Sequence, residues 1–176
     1  MSPSNAFLTR RTTEQDWREV RDLRIENAAD DPISYGATLE TTLGMVEADW
    51  RTRARRGEKV DAICVAAIEE RTGRWVGMMS GQIGDDHGPE PVLTGVFVSP
   101  DWRAGGRGVA TELLCHVEAW AAGYGTALRL FVDEDAVPAR RFYERNEFRL
   151  TGRARPVGFT EGNTVEMIKS LSVPAS

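Results

Sequence analysis

Six consecutive residues, Arg103-Ala104-Gly105-Gly106-Arg107-Gly108, carry the densest chemical signal in this chain. Three glycines and two guanidinium groups stand between an extended run and a helical one. Glycine lets the backbone take positive φ and lets a ligand come close. The first turn of the helix that follows leaves backbone N–H groups without partners and with partial positive charge. Such an end is an anion site, most naturally for phosphate. A Walker-type loop would need lysine after its last glycine, and lysine occurs here only at Lys59 and Lys169. A dinucleotide loop would need Gly-x-Gly-x-x-Gly, but Gly106-Arg107-Gly108 is followed by Val109, Ala110 and Thr111. What remains is an R-x-x-G-x-G pattern, with a tight β–α turn that binds nothing as the plain alternative.

The elements on either side must position that loop. Val92 to Val98 is β-branched and aromatic, which predicts a strand ended by Pro100. Val109, Leu113 and Val117, widened by Leu114, Trp120 and Ala121, predict an amphipathic helix closed by Gly123-Tyr124-Gly125. Earlier, Phe7 to Arg11 alternates as a short strand. Thr13, with Asp16 three positions on, is a candidate N-cap for a helix carrying Trp17, Val20, Leu23 and Ala28. The run from Asp30 to Gly36 breaks that helix. Val46, Trp50 and Ala54 predict a second one over Leu43 to Arg56. Val60 to Glu69 and Trp75 to Ile83 read as an antiparallel pair, and Gly84 to Pro91 as a breaker-rich loop. Ala127 to Val132 reads as a strand parallel to the Val92 run, because a helix lies between them. A short helix over Pro138 to Arg145 and strands over Phe148 to Arg153 and Thr164 to Ile168 complete the order.

Composition narrows the function. The 176 residues fit one α/β domain, residues 1–176, with ordinary apolar content and a net charge of −5. That balance gives no basic footprint for nucleic acid. No apolar run approaches a membrane span, and the first residues lack the basic start and apolar run of a secretory signal. A cytoplasmic protein is the expectation. Cys64 and Cys115 lie in apolar stretches and read as buried free thiols; two cysteines and two scattered histidines predict no metal site.

A strand ending V-x-V-x-P, then R-x-x-G-x-G, then an amphipathic helix resembles the acetyl-CoA loop of the GNAT family of N-acetyltransferases. The order β-α-α-β-β-β-α-β-α-β-β matches that family over the whole chain, and it implies a GNAT fold with a mixed central sheet flanked by helices. A later stretch resembles the family's V-x-x-x-N-x-x-A-x-x-x-Y-x-x-x-G-F motif, with Val132, Ala139, Tyr143 and Phe148 on the matching positions. Ala136 stands where asparagine is usual, and Glu147 where glycine is usual. Asn146, tolerant of left-handed backbone, is the candidate to carry that turn.

The resemblance implies acetyl-CoA as cosubstrate, no metal, and direct attack by a primary amine in a ternary complex. The pantetheine arm would lie between the Val92 and Leu128 strands on the backbone of Phe97 and Val98, with the Val98 N–H polarising the thioester oxygen. The pyrophosphate would rest on Arg103, Ala104, Gly105, Gly106, Arg107, Gly108, Val109 and Ala110. Tyr143 would point at the thioester sulfur as the general acid: its phenol, with a pKa near 10, can hydrogen-bond or protonate a departing thiolate whose pKa is about 8.5. Many members of the family carry a glutamate within the central strand, whereas Val92 to Val96 has no carboxylate. Glu90 is the candidate base, with Asp85, Asp86 and His87 behind it. Asp133, Glu134 and Asp135 could attract a cationic acceptor or form a solvated turn. The acceptor is a small molecule or a protein amine, a homodimer is compatible, and a CoA-binding module without catalysis is the alternative reading.

Overall fold

The computed structural model of the chain describes residues 6–103 and 108–172, without the side chains of Ser34 and Tyr35. Strands β1 (Phe7–Arg11), β2 (Ala62–Glu69), β3 (Trp75–Asp85), β4 (Gly88–Val98), β5 (Ala127–Asp133), β6 (Arg149–Pro156) and β7 (Asn163–Ser170) form one mixed sheet. Its order is β1-β2-β3-β4-β5-β7-β6. Helices α1 (Trp17–Asp30), α2 (Pro32–Tyr35), α3 (Leu39–Leu43) and α4 (Glu47–Ala54) separate β1 from β2. Helix α5 (Val109–Ala121) joins β4 to β5, and α6 (Val137–Arg145) joins β5 to β6. No helix among the described residues is long and apolar enough to cross a membrane.

Strand alternation divides the core between two faces. Ile63, Val65, Leu93, Val98, Leu128 and Leu130 pack with Val109, Leu113, Leu114 and Val117 of α5 and with Tyr143 of α6. Cys64, Ala66, Met78 and Phe97 pack on the other face with Trp17, Val20 and Leu23 of α1 and Trp50 of α4. The predicted capping pair is present. The Thr13 N–H donates to Asp16 Oδ2 at 2.8 Å, and the Asp16 N–H donates to the Thr13 carbonyl at 3.0 Å.

Four expectations need correction. The second helical region, expected over Leu43 to Arg56, begins only at Glu47: Leu43 ends α3, Gly44 caps it, and Val46 is the exposed N-cap of α4 rather than part of its buried stripe. Gly84 to Pro91 is no open loop: β3 runs to Asp85 and β4 begins at Gly88, with Ile83 opposite Pro91. Prolines are tolerated there because β4 at that end has a strand neighbour on only one side, as at a sheet edge. Cys115 is exposed, since it falls on the stripe of α5 that carries Glu112 and His116, opposite Leu113, Leu114 and Val117.

The fourth concerns the end of α6. The left-handed residue is Glu147, with φ 71°, and not Asn146, with φ −95°. The Phe148 N–H donates to the Tyr143 carbonyl and the Glu147 N–H to the Glu144 carbonyl, both at 3.0 Å, a Schellman closure. Asn146 instead turns its amide back to the Phe142 carbonyl at 2.8 Å. A side chain in left-handed backbone costs about 1–2 kcal/mol where glycine costs little. Glu147→Gly should therefore stabilise the protein by about 1 kcal/mol, a rise of roughly 2–4 °C in the unfolding midpoint. Thermal denaturation checks this.

Candidate active site

The site is organised by a split in the sheet. Strands β4 and β5 run parallel but pair at one position, Val92 opposite Arg129. Beyond it, toward Val98 and Asp133, they separate. The split begins where β4 changes register against β3 between Thr94 and Phe97. Gly95 lies in that bulge at φ 58°, and a Cβ there would come within 2.5 Å of Arg24 Nη2 on α1. Only glycine allows both the left-handed turn and the close arginine.

The backbone at the end of β4 sorts the residues that the sequence singled out. The Ser99 N–H donates to the Val76 carbonyl on β3 at 2.8 Å. Peptide planarity then points the Val98 carbonyl away from β3, and strand alternation turns the Val98 N–H the same way, into the split. The N–H and carbonyl of Phe97 face β3 instead, so Phe97 contributes its buried ring and not backbone to the split. Arg103 fills the Val98 carbonyl through Nε at 2.7 Å. Its Nη2 meets Asp30 Oδ2 at 2.6 Å, and its guanidinium lies 5.4 Å from the Phe97 ring centre. Arg103 thus ties the end of β4 to the end of α1. Ala104, Gly105, Gly106 and Arg107 lie outside the described residues. Gly108 caps α5 in left-handed backbone, φ 74°. After it come the first-turn N–H groups at Val109 and Ala110; the Val109 side chain is buried in the core.

Tyr143 sits on the last turn of α6, is 6 % exposed, and packs edge-on against Phe142 and Phe148. Burial raises its phenol above the ordinary value near 10, so the hydroxyl keeps its proton at neutral pH. It can donate a hydrogen bond and is no base, and the raised pKa makes it a weaker acid than an ordinary phenol. Ala136 stands at the N-cap of α6, partly buried against the same core.

On the α1 side of the sheet, at the joined end of the split, lies an ionic cluster that the sequence reading missed. Arg129, with a side chain 4 % exposed, meets three carboxylates. Its Nη2 donates to Asp85 Oδ1 at 2.8 Å, its Nη1 donates to Glu166 Oε2 at 3.1 Å, and its Nε is 3.3 Å from Glu90 Oε2. The Gly88 carbonyl also accepts from it at 3.1 Å. Arg129, Glu90, Glu166 and Gly88, with His87, Thr151, Arg153 and Ile168, line a cavity of about 290 Å³. Burial raises the Asp85 pKa, but the bonds from Arg129 and from the His87 N–H outweigh it, so the group stays below its ordinary value. Glu90 therefore lies on a strand, ion-paired, with its side chain 42 % exposed to the cavity. The four charged residues come from β3, β4, β5 and β7, too far apart in sequence for any spacing rule. An arginine within the apolar run Leu128 to Val132 was the one available signal.

Other candidates have structural partners. Glu134 Oε1 accepts from the Asn163 N–H at 3.1 Å, and Asp133 Oδ1 from the Asp135 N–H at 3.0 Å. His116 Nε2 is 2.9 Å from Thr9 Oγ1, beside a separate cavity of about 280 Å³ between β1, β2 and α5. No group of three or more His, Cys, Asp or Glu among the described residues is arranged to hold a metal ion.

The model of the acetyltransferase (GNAT) family matches residues 17–148. No curated protein matches in sequence. Among solved structures, YncA from Salmonella typhimurium, a putative acetyltransferase with acetyl-CoA, superposes with a TM-score of 0.74 at 13 % identity over 97 % of each chain. A phosphinothricin acetyltransferase from Sinorhizobium meliloti, also with acetyl-CoA, gives 0.74 at 16 % identity over 94 % of this chain and 89 % of that one. The PaiA N-acetyltransferase from Thermoplasma acidophilum, with coenzyme A, gives 0.70 at 15 % identity over 94 % and 99 %. At such identities the likeness is one of fold.

Removing the arginine at the centre of the cluster leaves carboxylates buried without their counter-ion. Arg129→Met should cost about 3–5 kcal/mol of stability at neutral pH. The sign with pH follows from Asp85. A carboxylate whose folded pKa is depressed adds stability above its unfolded value, near 3.8, and loses it as pH falls through the lower folded value. Wild type should therefore lose stability on acidification below about pH 4, and the variant should lose less. Urea denaturation across pH checks both.

Proposed function

Because this chain belongs to the acetyltransferase (GNAT) family, we propose that it transfers the acetyl group of acetyl-CoA to a primary amine by direct attack in a ternary complex. The single observation that carries this reading is the split between β4 and β5, with the Val98 N–H facing into it and the N-terminus of α5 at its mouth. An extended arm bearing amides fits a gap between parallel strands, because unpaired strand edges offer donors and acceptors. Phosphates fit the first-turn N–H groups of α5 at Gly108, Val109 and Ala110, with Ala104, Gly105, Gly106 and Arg107 completing the loop. Arg103 serves this site by holding the strand end in place.

The cosubstrate supplies an activated acyl carbon; the protein's part is positioning and proton handling. The Val98 N–H donates to the thioester oxygen, where negative charge develops during attack. Tyr143, kept protonated by burial, donates a hydrogen bond to the leaving sulfur and stabilises its developing charge. The acceptor arrives as an ammonium, and only the neutral amine can attack. A lysine-like amine is neutral in about one molecule per few thousand at pH 7. The Arg129 cluster sets three carboxylates against one guanidinium, so its field favours a cation. Glu90, the carboxylate most open to the cavity, is the candidate base; it lies eight residues from Val98 along β4, so the proton would reach it only along a chain of waters.

A CoA-binding protein without catalysis is the second reading. The absence of a carboxylate from Val92 to Val96 favours it. Thiol release from acetyl-CoA in the presence of primary amines decides between the two. Tyr143→Phe should keep acetyl-CoA affinity while lowering kcat about tenfold to a thousandfold. Glu90→Gln should lower kcat most at low pH. Unchanged turnover in either variant removes that residue from its role, and no thiol release with any amine supports the non-catalytic reading.

A further inference from the structure

The interface between α1 and β4 buries polar atoms that no group among the described residues satisfies. The Asn27 carboxamide is 1 % exposed, and neither its Oδ1 nor its Nδ2 has a hydrogen-bond partner among the described residues. The buried hydroxyl of Thr94 is in the same state. An unpaired buried polar group costs about 1–3 kcal/mol. A leucine at position 27 would avoid that cost in a helix whose neighbouring positions Leu23 and Ala28 are apolar and buried.

Two contacts fix where this amide lies. Arg24, one turn earlier and on the same face of α1, approaches Gly95 at the β4 bulge. Asp30, three residues later, holds Arg103 and through it the Val98 carbonyl. Asn27 therefore lies over the 95–98 segment of β4, which has parted from β5. Thr94 faces the same side, since it pairs with Ser80 while its neighbour Leu93 packs with α5. Helix α2 begins at Pro32 and packs on both β4 and β5, so it roofs the split just beyond Asn27.

We propose that the Asn27 carboxamide holds the acceptor amine at the split, its Oδ1 accepting an N–H of the neutral amine while the Thr94 hydroxyl provides a second polar contact. This rests on the acetyltransferase reading and adds to it an acceptor-positioning residue outside β4. The chemistry suits a strand without a carboxylate. A carboxylate beside the nitrogen would stabilise the ammonium, which cannot attack. An uncharged acceptor binds an N–H of the neutral amine and leaves its lone pair directed at the acyl carbon. With Asn27 1 % exposed, admission of the acceptor requires α2 to move off the strands.

The test compares Asn27→Leu and Thr94→Val with wild type, using putrescine, glycinamide and a lysine-containing peptide as amine probes. Both variants should unfold at the same or a higher temperature, because orphaned polar atoms give way to apolar ones of similar size. Both should bind acetyl-CoA as wild type does. Asn27→Leu should lower kcat/KM for the amine at least about tenfold, chiefly through KM, and Thr94→Val should do so less. A lower unfolding temperature, or unchanged amine kinetics, overturns the proposal. Failure of wild type itself to bind acetyl-CoA contradicts the acetyltransferase reading instead, and the unfolding temperature of Asn27→Leu then still judges Asn27.

Discussion

Everything at this site depends on one strand pair being held together at a single point. Val92 and Arg129 are the only residues in register between β4 and β5 among those described. Had the ladder continued, the Val98 N–H would be paired within the sheet and the cleft would not exist. The same residue that joins the strands also anchors their shared end. The guanidinium of Arg129 gathers carboxylates from β3, β4 and β7 beneath the joint. That arrangement is costly to bury, but it ties the β3–β4 pair to β5 and β7 where the backbone joins the two halves only once.

Opening the split exposes backbone that must be satisfied by other means. Arg103 fills the Val98 carbonyl and ties it to Asp30 at the end of α1. Gly95 bends β4 away from β5 and makes room for Arg24. Among the described residues, the groups left without partners around the gap include the Val98 N–H on the strand, the first-turn N–H groups of α5 at one end, and the Asn27 carboxamide and Thr94 hydroxyl on the α1 side. Proton handling is separated from these. Tyr143 is buried among aromatic rings and stays protonated, while the carboxylates crowd the opposite face.

Much of this was legible in the sequence, and what was not has physical reasons. The strand, glycine loop and amphipathic helix around Arg103 to Gly108 could be read because each is a local pattern with a local cause. The fold order followed from the same local periodicities. Glu90 was misplaced in a loop, since Pro89 and Pro91 argue against a strand unless one side of it is known to be unpaired. Glu147 was passed over as the left-handed residue because Asn146 tolerates that conformation better; the Schellman bonds decide the position, and bonds to Tyr143 and Glu144 are invisible as letters. The Arg129 cluster brings together residues distant in the chain. Asn27 was hidden for the opposite reason: a polar residue on an apolar stripe reads as exposed until its burial is seen.

The claim on which the rest stands is that the split between β4 and β5 receives acetyl-CoA. Thermal unfolding with acetyl-CoA, with ATP as control, tests it most directly. A ligand at a hundred times its dissociation constant adds about 2.7 kcal/mol, or roughly 5–10 °C for a chain of this size. The account predicts that shift with acetyl-CoA and none with ATP. No shift with acetyl-CoA, or an equal shift with both, would contradict it.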